Sequence, residues 1–266
     1  MNSFSPVTII HNDGDKVQSV SIDLIGEEPL SIRIDGKPYS VVMRTPGDEI
    51  AHAAGFCLTE GLADIAQDIT AIACCDGSDS NVVTVTLTEK QRQKIAGYLD
   101  RRGFISQTSC GICGKELVQD ISAVIAPISD DTRFKIHSAV SCLENFSRHQ
   151  PLRQKTRATH AALIIDANTD LLSSAEDVGR HNAVDKAIGR LFLDHTLFRA
   201  KGLVLSSRIS YELVQKAARA SIPIILAVSR PTSLAVSLAA RLNMTLACLA
   251  PKTGFYVFCG EQRLIS

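Results

Sequence analysis

The chain has 266 residues, 45% hydrophobic and 21% charged, with 28 Lys/Arg set against 28 Asp/Glu. This composition excludes a disordered, collagenous or coiled-coil protein. No uncharged apolar run nears the ~18 residues of a membrane-spanning helix, because Arg230 and Arg241 break the most apolar stretch.

The neutral total conceals an asymmetry. Arg199 to Ser266 holds nine basic and two acidic residues, leaving 19 and 26 in the rest. A cationic segment within a neutral protein points to an anionic ligand at one end, not to a general polyanion surface. Met1 to Pro6 shows no basic region followed by an apolar block, so no secretory signal is expected and the cytoplasm is the expected location.

The first 45 residues alternate apolar and polar positions. Val17–Leu24, Leu30–Ile34 and Tyr39–Met43 read as strands, with Asp35-Gly36 as a hairpin turn. Thr45-Pro46-Gly47-Asp48 reads as a helix start, capped by Thr45 with Pro46 at the first position. Ile50, Ala53, Ala54, Cys57 and Leu58 form one apolar stripe, and Gly61 stops the helix. Asn81–Leu87 is a strand, and Thr88-Glu89-Lys90-Gln91 is a capping box opening a charged helix to about Arg102. Residues 1–103 therefore read as a small α+β module, 104–117 as a loop, and about 117–155 as irregularly helical.

From Thr159 the pattern repeats. Strand Ala161–Ile165 leads by a turn to helix Asn182–Leu193, Leu203–Leu205 to helix Tyr211–Ala220, and Ile222–Val228 to helix Ser233–Leu242. Strands at Thr245–Leu249 and Phe255–Cys259 follow. The alternation of nearly all-apolar strands with helices predicts an α/β domain over 118–266, with a mainly parallel sheet flanked by helices on both faces.

Eight cysteines in a chain without a signal peptide read as thiols. Cys57, Cys142, Cys248 and Cys259 sit in apolar surroundings, and Cys74-Cys75 ends an apolar run; all read as structural. Cys110-Gly111-Ile112-Cys113 differs, since glycines before and after Cys113 favour an irregular loop and Lys115 favours a thiolate. A zinc site would need two further ligands, and no second close Cys or His pair exists. Spacing alone leaves sulfur carriage, metal binding and redox cycling open.

In open α/β sheets, ligands bind beyond the carboxyl ends of the strands. The loops there are Gly179-Arg180-His181-Asn182, Ser206-Ser207-Arg208-Ile209-Ser210 and Ser229-Arg230-Pro231-Thr232-Ser233. Each places an arginine near a helix amino terminus, where free N–H groups favour an anion. Converging, Arg180, Arg208 and Arg230 with His181 would make a polyphosphate or nucleotide pocket. His181 and His160 also suit structural roles, and Ser210, Thr232 and Ser233 suit plain capping. A nucleic-acid surface is not expected, because none of the nine Phe and four Tyr clusters with these arginines and Trp is absent.

Together these residues resemble the FdhD family of formate dehydrogenase accessory proteins, over about Pro29–Phe258. The resemblance is carried by Met43–Glu49 with Gly55-Phe56 and Glu60-Gly61, by Ser109–Lys115, His160–Ala162, Glu176–Lys186 and Pro231–Val236. It implies a sulfurtransferase that accepts persulfide sulfur from a cysteine desulfurase on Cys110, with Cys113 as helper. The acceptor it implies is molybdenum bis(molybdopterin guanine dinucleotide), destined for formate dehydrogenase, with guanine nucleotides such as GDP as mimics. No permanently bound cofactor or metal is implied. It further implies a cytidine-deaminase-like α/β domain and a homodimer.

A family segment tied to cofactor binding aligns with Leu249, Ala250, Pro251, Lys252, Thr253 and Gly254, where Pro251 replaces an arginine. Elsewhere Arg157-Ala158-Thr159 replaces glycines, Ser207 a glycine and Arg230 an alanine. Arg230 or Lys252 would then supply the missing charge. A zinc deaminase would need His-x-Glu and Pro-Cys-x-x-Cys, and neither occurs. The non-enzymatic alternative is a cofactor-binding chaperone whose Cys-x-x-Cys is a redox or zinc element.

Overall fold

The computed structural model describes residues 2–74, 81–102 (backbone alone from 97), 125–251 and 253–266. Strands β1 (Phe4–Asn12) and β2 (Val17–Ile25) pair antiparallel as a separate, largely exposed ribbon. Next come β3 (Glu28–Ile34) and β4 (Lys37–Arg44), joined at Asp35 and Gly36. Both turn residues have positive φ, 50° and 79°, as a tight two-residue hairpin demands. With β5 (Ile69–Cys74) and β6 (Val82–Leu87) they form a four-stranded sheet of order β4-β3-β6-β5. Alternate residues Leu30, Ile32, Ile34, Val83, Val85 and Leu87 are buried on one face.

Helix α1 (Glu49–Thr59) starts later than the sequence suggests. Thr45 is not its cap; Asp48, at φ 60°, precedes the first turn and gives no side-chain cap bond. Thr45 is buried, and its hydroxyl accepts from the Val178 N–H instead. The helix does not bury a single stripe either. Every residue from Ala51 to Thr59 is buried, whereas Ile50 is exposed. Gly61, at φ 76°, follows as expected, and Thr88 accepts from Gln91 N–H at the start of α2 (Glu89–Arg102).

The six-stranded sheet has the order β13-β12-β11-β10-β8-β9. Its members are β8 (His160–Ile165), β9 (Leu171–Asp177), β10 (Gly202–Leu205), β11 (Ile224–Ala227), β12 (Thr245–Leu249) and β13 (Phe255–Cys259). It is mixed, not mainly parallel. Only β10–β11 and β11–β12 pair parallel; β8 is antiparallel to both neighbours, and β13 to β12. The difference arises at β9. Asp166 accepts from the N–H groups of Asn168 and Asp170, turning the chain back on itself where a direct passage to a helix was expected.

One face of this sheet (Ala162, Ile164, Leu203, Leu205, Ile225) shares a core with the four-stranded sheet and three helices: α1, α5 (Arg180–Leu193) and α6 (Tyr211–Arg219). The other face (Leu163, Ile165, Val204, Ile224, Leu226) packs with Phe134, Ala139, Leu143 and Phe146. Phe134 lies on β7 (Phe134–Lys135), which pairs with β14 (Leu264–Ile265); Ala139 and Leu143 lie on α3 (Ile136–Glu144). Helix α4 (Pro151–Thr156) packs against β2, and α7 (Ser233–Arg241) against α6.

Helices α1 and α5 meet at glycines. A Cβ on Gly55 would lie 1.9 Å from the Asp185 carbonyl oxygen, and one on Gly189 1.8 Å from that of Ala51. No side chain fits there, so the two backbones touch. Because both obstructing atoms are backbone, a methyl group must force the helices apart. Gly189→Ala is expected to cost at least about 3 kcal/mol, the upper end for overpacking a core. A denaturant midpoint unchanged from the parent chain would contradict this crossing.

Candidate functional site

The strand directions decide which residues share an edge. β9, β10, β11 and β12 run one way, so their carboxyl ends lie together, alongside the starts of the reversed strands β8 and β13. This places His160, Arg180-His181, Ser206–Ser210, Ser229–Thr232 and the 249–254 turn on one edge.

Backbone contacts tie these pieces together. The Ala161 N–H donates to Ser206 Oγ at 2.8 Å, and the Ser206 N–H to the Ala161 carbonyl at 3.2 Å. Ile209 and Pro231 form a parallel bridge, and the Thr232 N–H donates to the Ile209 carbonyl. Ala250 N–H donates to Gly254 O at 3.0 Å, with Gly254 at φ 76°, closing the turn after β12.

The three expected arginines follow β9, β10 and β11 in turn. Arg180 opens α5 and is half-buried, with an Nε that lacks a hydrogen-bond partner. Arg208 and Arg230 are exposed ahead of α6 and α7. The Arg230 guanidinium stands over the Tyr256 ring at 5.5 Å, linking its loop to β13. Thr232 caps α7 by accepting from Ala235 N–H at 3.2 Å, while Ser210 gives no such bond to α6. Leu249, Ala250, Pro251, Thr253 and Gly254 are all on this edge. Cys110, Cys113 and Lys252 lie outside the described residues.

A buried hub fixes the first loop. Asp177 is fully buried and pairs with the Lys186 ammonium at 2.7 Å. Its other oxygen accepts from Gly179 N–H (2.8 Å) and Asn182 Nδ2 (2.9 Å), while Thr45 N–H donates to Oδ2 at 3.0 Å. Lys186 also donates to the Thr45 carbonyl. Gly179 leaves room for Asn182: a Cβ there would lie 2.6 Å from its Nδ2, which is bonded to Asp177 and to the Met43 carbonyl.

A second buried pair lies beside the first, built on Asp185, the neighbour of Lys186 on α5. Lys216 on α6 reaches both Asp185 oxygens at 2.9–3.0 Å, Glu60 at 3.3 Å and the Thr59 hydroxyl at 2.9 Å. Burial pulls on the Lys216 ammonium, but the Asp185 and Glu60 carboxylates outweigh it and raise its pKa. Residue spacing gave no role to Lys216, Glu60 or Thr59. The available clue was charge inside an apolar run: Asp185-Lys186 falls between Val184 and Ala187 on a helix buried nearly all round.

The histidines here are neutral at pH 7. Burial, then the positive charges of Lys216 and Arg180, push His181 down to about 4. Its Nε2 lies 3.9 Å from Glu212. His160 is lowered by burial and by Arg180 and Arg153. His52, fully buried on α1, is lowered well below its ordinary value by burial and by Lys186, Lys216 and Arg44.

The edge thus presents three guanidinium groups, three helix amino termini and an uncharged imidazole, an arrangement suited to an anion. Among the described residues, no group of three or more His, Cys, Asp or Glu is placed to hold a metal. A separate cavity of about 330 Å³ opens beside β9, with Thr45, Asp48, His149, Glu176, Lys186 and Arg190 in its wall. No helix among the described residues is long and apolar enough to cross a membrane.

Fold and edge together define a mixed-sheet α/β protein with three arginine-bearing loops along one sheet edge. Residues 25–265 match the model of the FdhD/NarQ family, and the chain belongs to that family. It is 38% identical over 251 residues to the sulfur carrier protein FdhD of Streptomyces avermitilis, covering 91% of this chain and 88% of that one. The Mycobacterium tuberculosis protein of the same name is 35% identical over 266 residues, covering 96% of each. A crystal structure of a putative formate dehydrogenase accessory protein from Desulfotalea psychrophila shares the fold, with a TM-score of 0.79 at 24% identity, covering 99% of this chain and all of that one.

The histidines set a pH dependence. Unfolded, each takes up a proton near pH 6.5; folded, they resist it. The unfolded state therefore binds more protons below pH 6.5, and stability falls as pH drops. The stabilising effect is complete above pH 6.5 and is lost toward about 4, where His181 titrates. Thermal midpoints should decline over that interval, less steeply in His52→Leu. Equal slopes for the variant and the parent chain would refute this role for His52.

Proposed function

We propose that the chain is a sulfur carrier serving formate dehydrogenase. The observation that carries the reading is the row of Arg180, Arg208 and Arg230 at one sheet edge, joined in one chain with the Cys110-x-x-Cys113 thiols. Relatives over most of its length bear the name sulfur carrier protein, which supports it.

In this reading the Cys110 thiolate attacks the outer sulfur of a persulfide on a cysteine desulfurase. The desulfurase thiolate departs, and Cys110 holds the new persulfide. Cys113 assists, and segment 104–117 is the carrying loop between the 1–103 module and the 118–266 domain. The acceptor substrate is molybdenum bis(molybdopterin guanine dinucleotide). The arginine forks receive its phosphate oxygens, neutral His181 offers a hydrogen bond without charge, and Lys252 adds a further positive charge for the same ligand. The chain works in the cytoplasm as a homodimer.

Incubation with a desulfurase and cysteine should add the mass of one sulfur to the Cys110 peptide, reversibly by reductant. Cys110→Ala should gain none and should fail to support formate dehydrogenase while remaining folded. Full support by that variant would eliminate the persulfide role and favour a cofactor-binding chaperone. Arg208→Ala should weaken GDP binding roughly 10- to 150-fold, the ~1.5–3 kcal/mol of a hydrogen bond to a charged group. Calorimetry showing unchanged affinity would place the pocket elsewhere.

A further inference from the structure

The cavity of about 330 Å³ beside β9 has no part in the sulfur-carrier reading. Its volume falls at the small end of ligand pockets, which run from roughly 300 to 1,000 Å³. Two of the segments that carry the family resemblance, Met43–Glu49 and Glu176–Lys186, both contribute to its wall.

One side of that wall is cationic and has donors to spare. Lys186 and Arg190 stand four residues apart on α5, which sets them on one helix face. Lys186 is 2% exposed. Among the described residues its ammonium donates to Asp177 and to the Thr45 carbonyl, both at 2.7 Å, so one of its three N–H groups is unused. Arg190 gives one N–H to the Ser174 carbonyl and one to Asp48 Oδ2, the latter at 2.6 Å. A guanidinium has five.

The other side is anionic. Asp48 pairs with Arg190 through Oδ2, and among the described residues its Oδ1 accepts no hydrogen bond. Glu176 accepts from the N–H groups of Leu152 and Arg153 and from the Thr159 hydroxyl, so it is held in place by neutral donors and keeps its charge. Pro46, Leu152 and Ala175 add apolar surface between the two sides.

We propose that this cavity binds a small α-amino acid with a short, uncharged side chain, its carboxylate on Lys186 and Arg190 and its ammonium on Asp48. A zwitterion is the one ligand class that uses both sides at once. A carboxylate alone would face Asp48 and Glu176 without a compensating charge, and a phosphate dianion would be repelled more strongly. An amine alone would leave the α5 donors without an acceptor. The site is independent of the sulfur-carrier reading, yet its ligand rests against Lys186, the lysine that pairs with Asp177 below the Arg180 loop.

Saturation-transfer NMR and calorimetry on the full chain should show one L-alanine bound per chain. Acetate, methylamine and inorganic phosphate should each bind at least about tenfold more weakly, as expected for the loss of a hydrogen bond to a charged group. Asp48→Asn and Arg190→Gln should each weaken L-alanine by roughly tenfold or more for the same reason. Ser174→Leu fills the cavity without removing a charge and should abolish binding; it decides the matter if the charge variants fail to fold. L-alanine still bound by Ser174→Leu would put the amino acid elsewhere and overturn the site. Acetate or phosphate bound as tightly as L-alanine would make it a plain anion site, and no binding of any of the four would leave the cavity without this role; either result overturns the proposal. None of these outcomes alters what sulfur labelling of Cys110 would show, so the two readings fail separately.

Discussion

Two helix backbones in direct contact, with Gly55 and Gly189 at the crossing, are the constraint on which the remaining structure depends. Because nothing separates them, α1 from the first half of the chain lies against α5 from the second, and the two sheets share one core. The same closeness buries α1 from Ala51 onward. Polar groups on these helices must then find partners inside the protein, since an unpaired buried charge costs several kcal/mol.

Those partners are what connect packing to the rim. Asp177 with Lys186 fastens the loop from which α5 springs, and Asp185 with Lys216 and Glu60 fastens α5 to α6 and to the end of α1. The buried pairs do not need to contribute net stability to matter; replacing such pairs by apolar residues is often neutral. Their geometry specifies where Arg180 and His181 stand. Burial first, and then the positive charges these pairs bring close, lower the pKa of His181 and His52, so the acid response and the packing share one origin.

Much of this was legible in the residues themselves. The Asp35-Gly36 turn, the Thr88 cap of α2 and the strands β10 to β12 follow from local preference, and the arginine loops follow from their place after strands; the capping box stays half-made, because the Gln91 amide donates to the Leu62 carbonyl and the Thr88 N–H to that of Asp68. Three features were not. Leu171–Asp177 reads Leu-Leu-Ser-Ser-Ala-Glu-Asp, with too few β-branched or aromatic residues to announce a strand, and its omission made the sheet look parallel. Thr45 has every local attribute of a cap, but a partner 133 positions away claims its hydroxyl. Ile50 fits the apolar stripe of α1 yet is exposed, because burial there is set by a second helix and not by period. Long-range contacts overrode local chemistry each time. The thiols, in contrast, stood out in sequence, while Cys110 and Cys113 lie outside the described residues.

The β1–β2 ribbon meets the rest of the protein mainly in two places among the described residues, along helix α4 and at its base. The family match begins at residue 25, where the ribbon ends, and most of its residues are exposed. It is fastened at its base, through Gly26 N–H to the Ser3 carbonyl and Ser3 Oγ to the Pro46 carbonyl. None of its residues enters either hydrophobic core, so the outer end of the ribbon can be trimmed without opening the packing behind it.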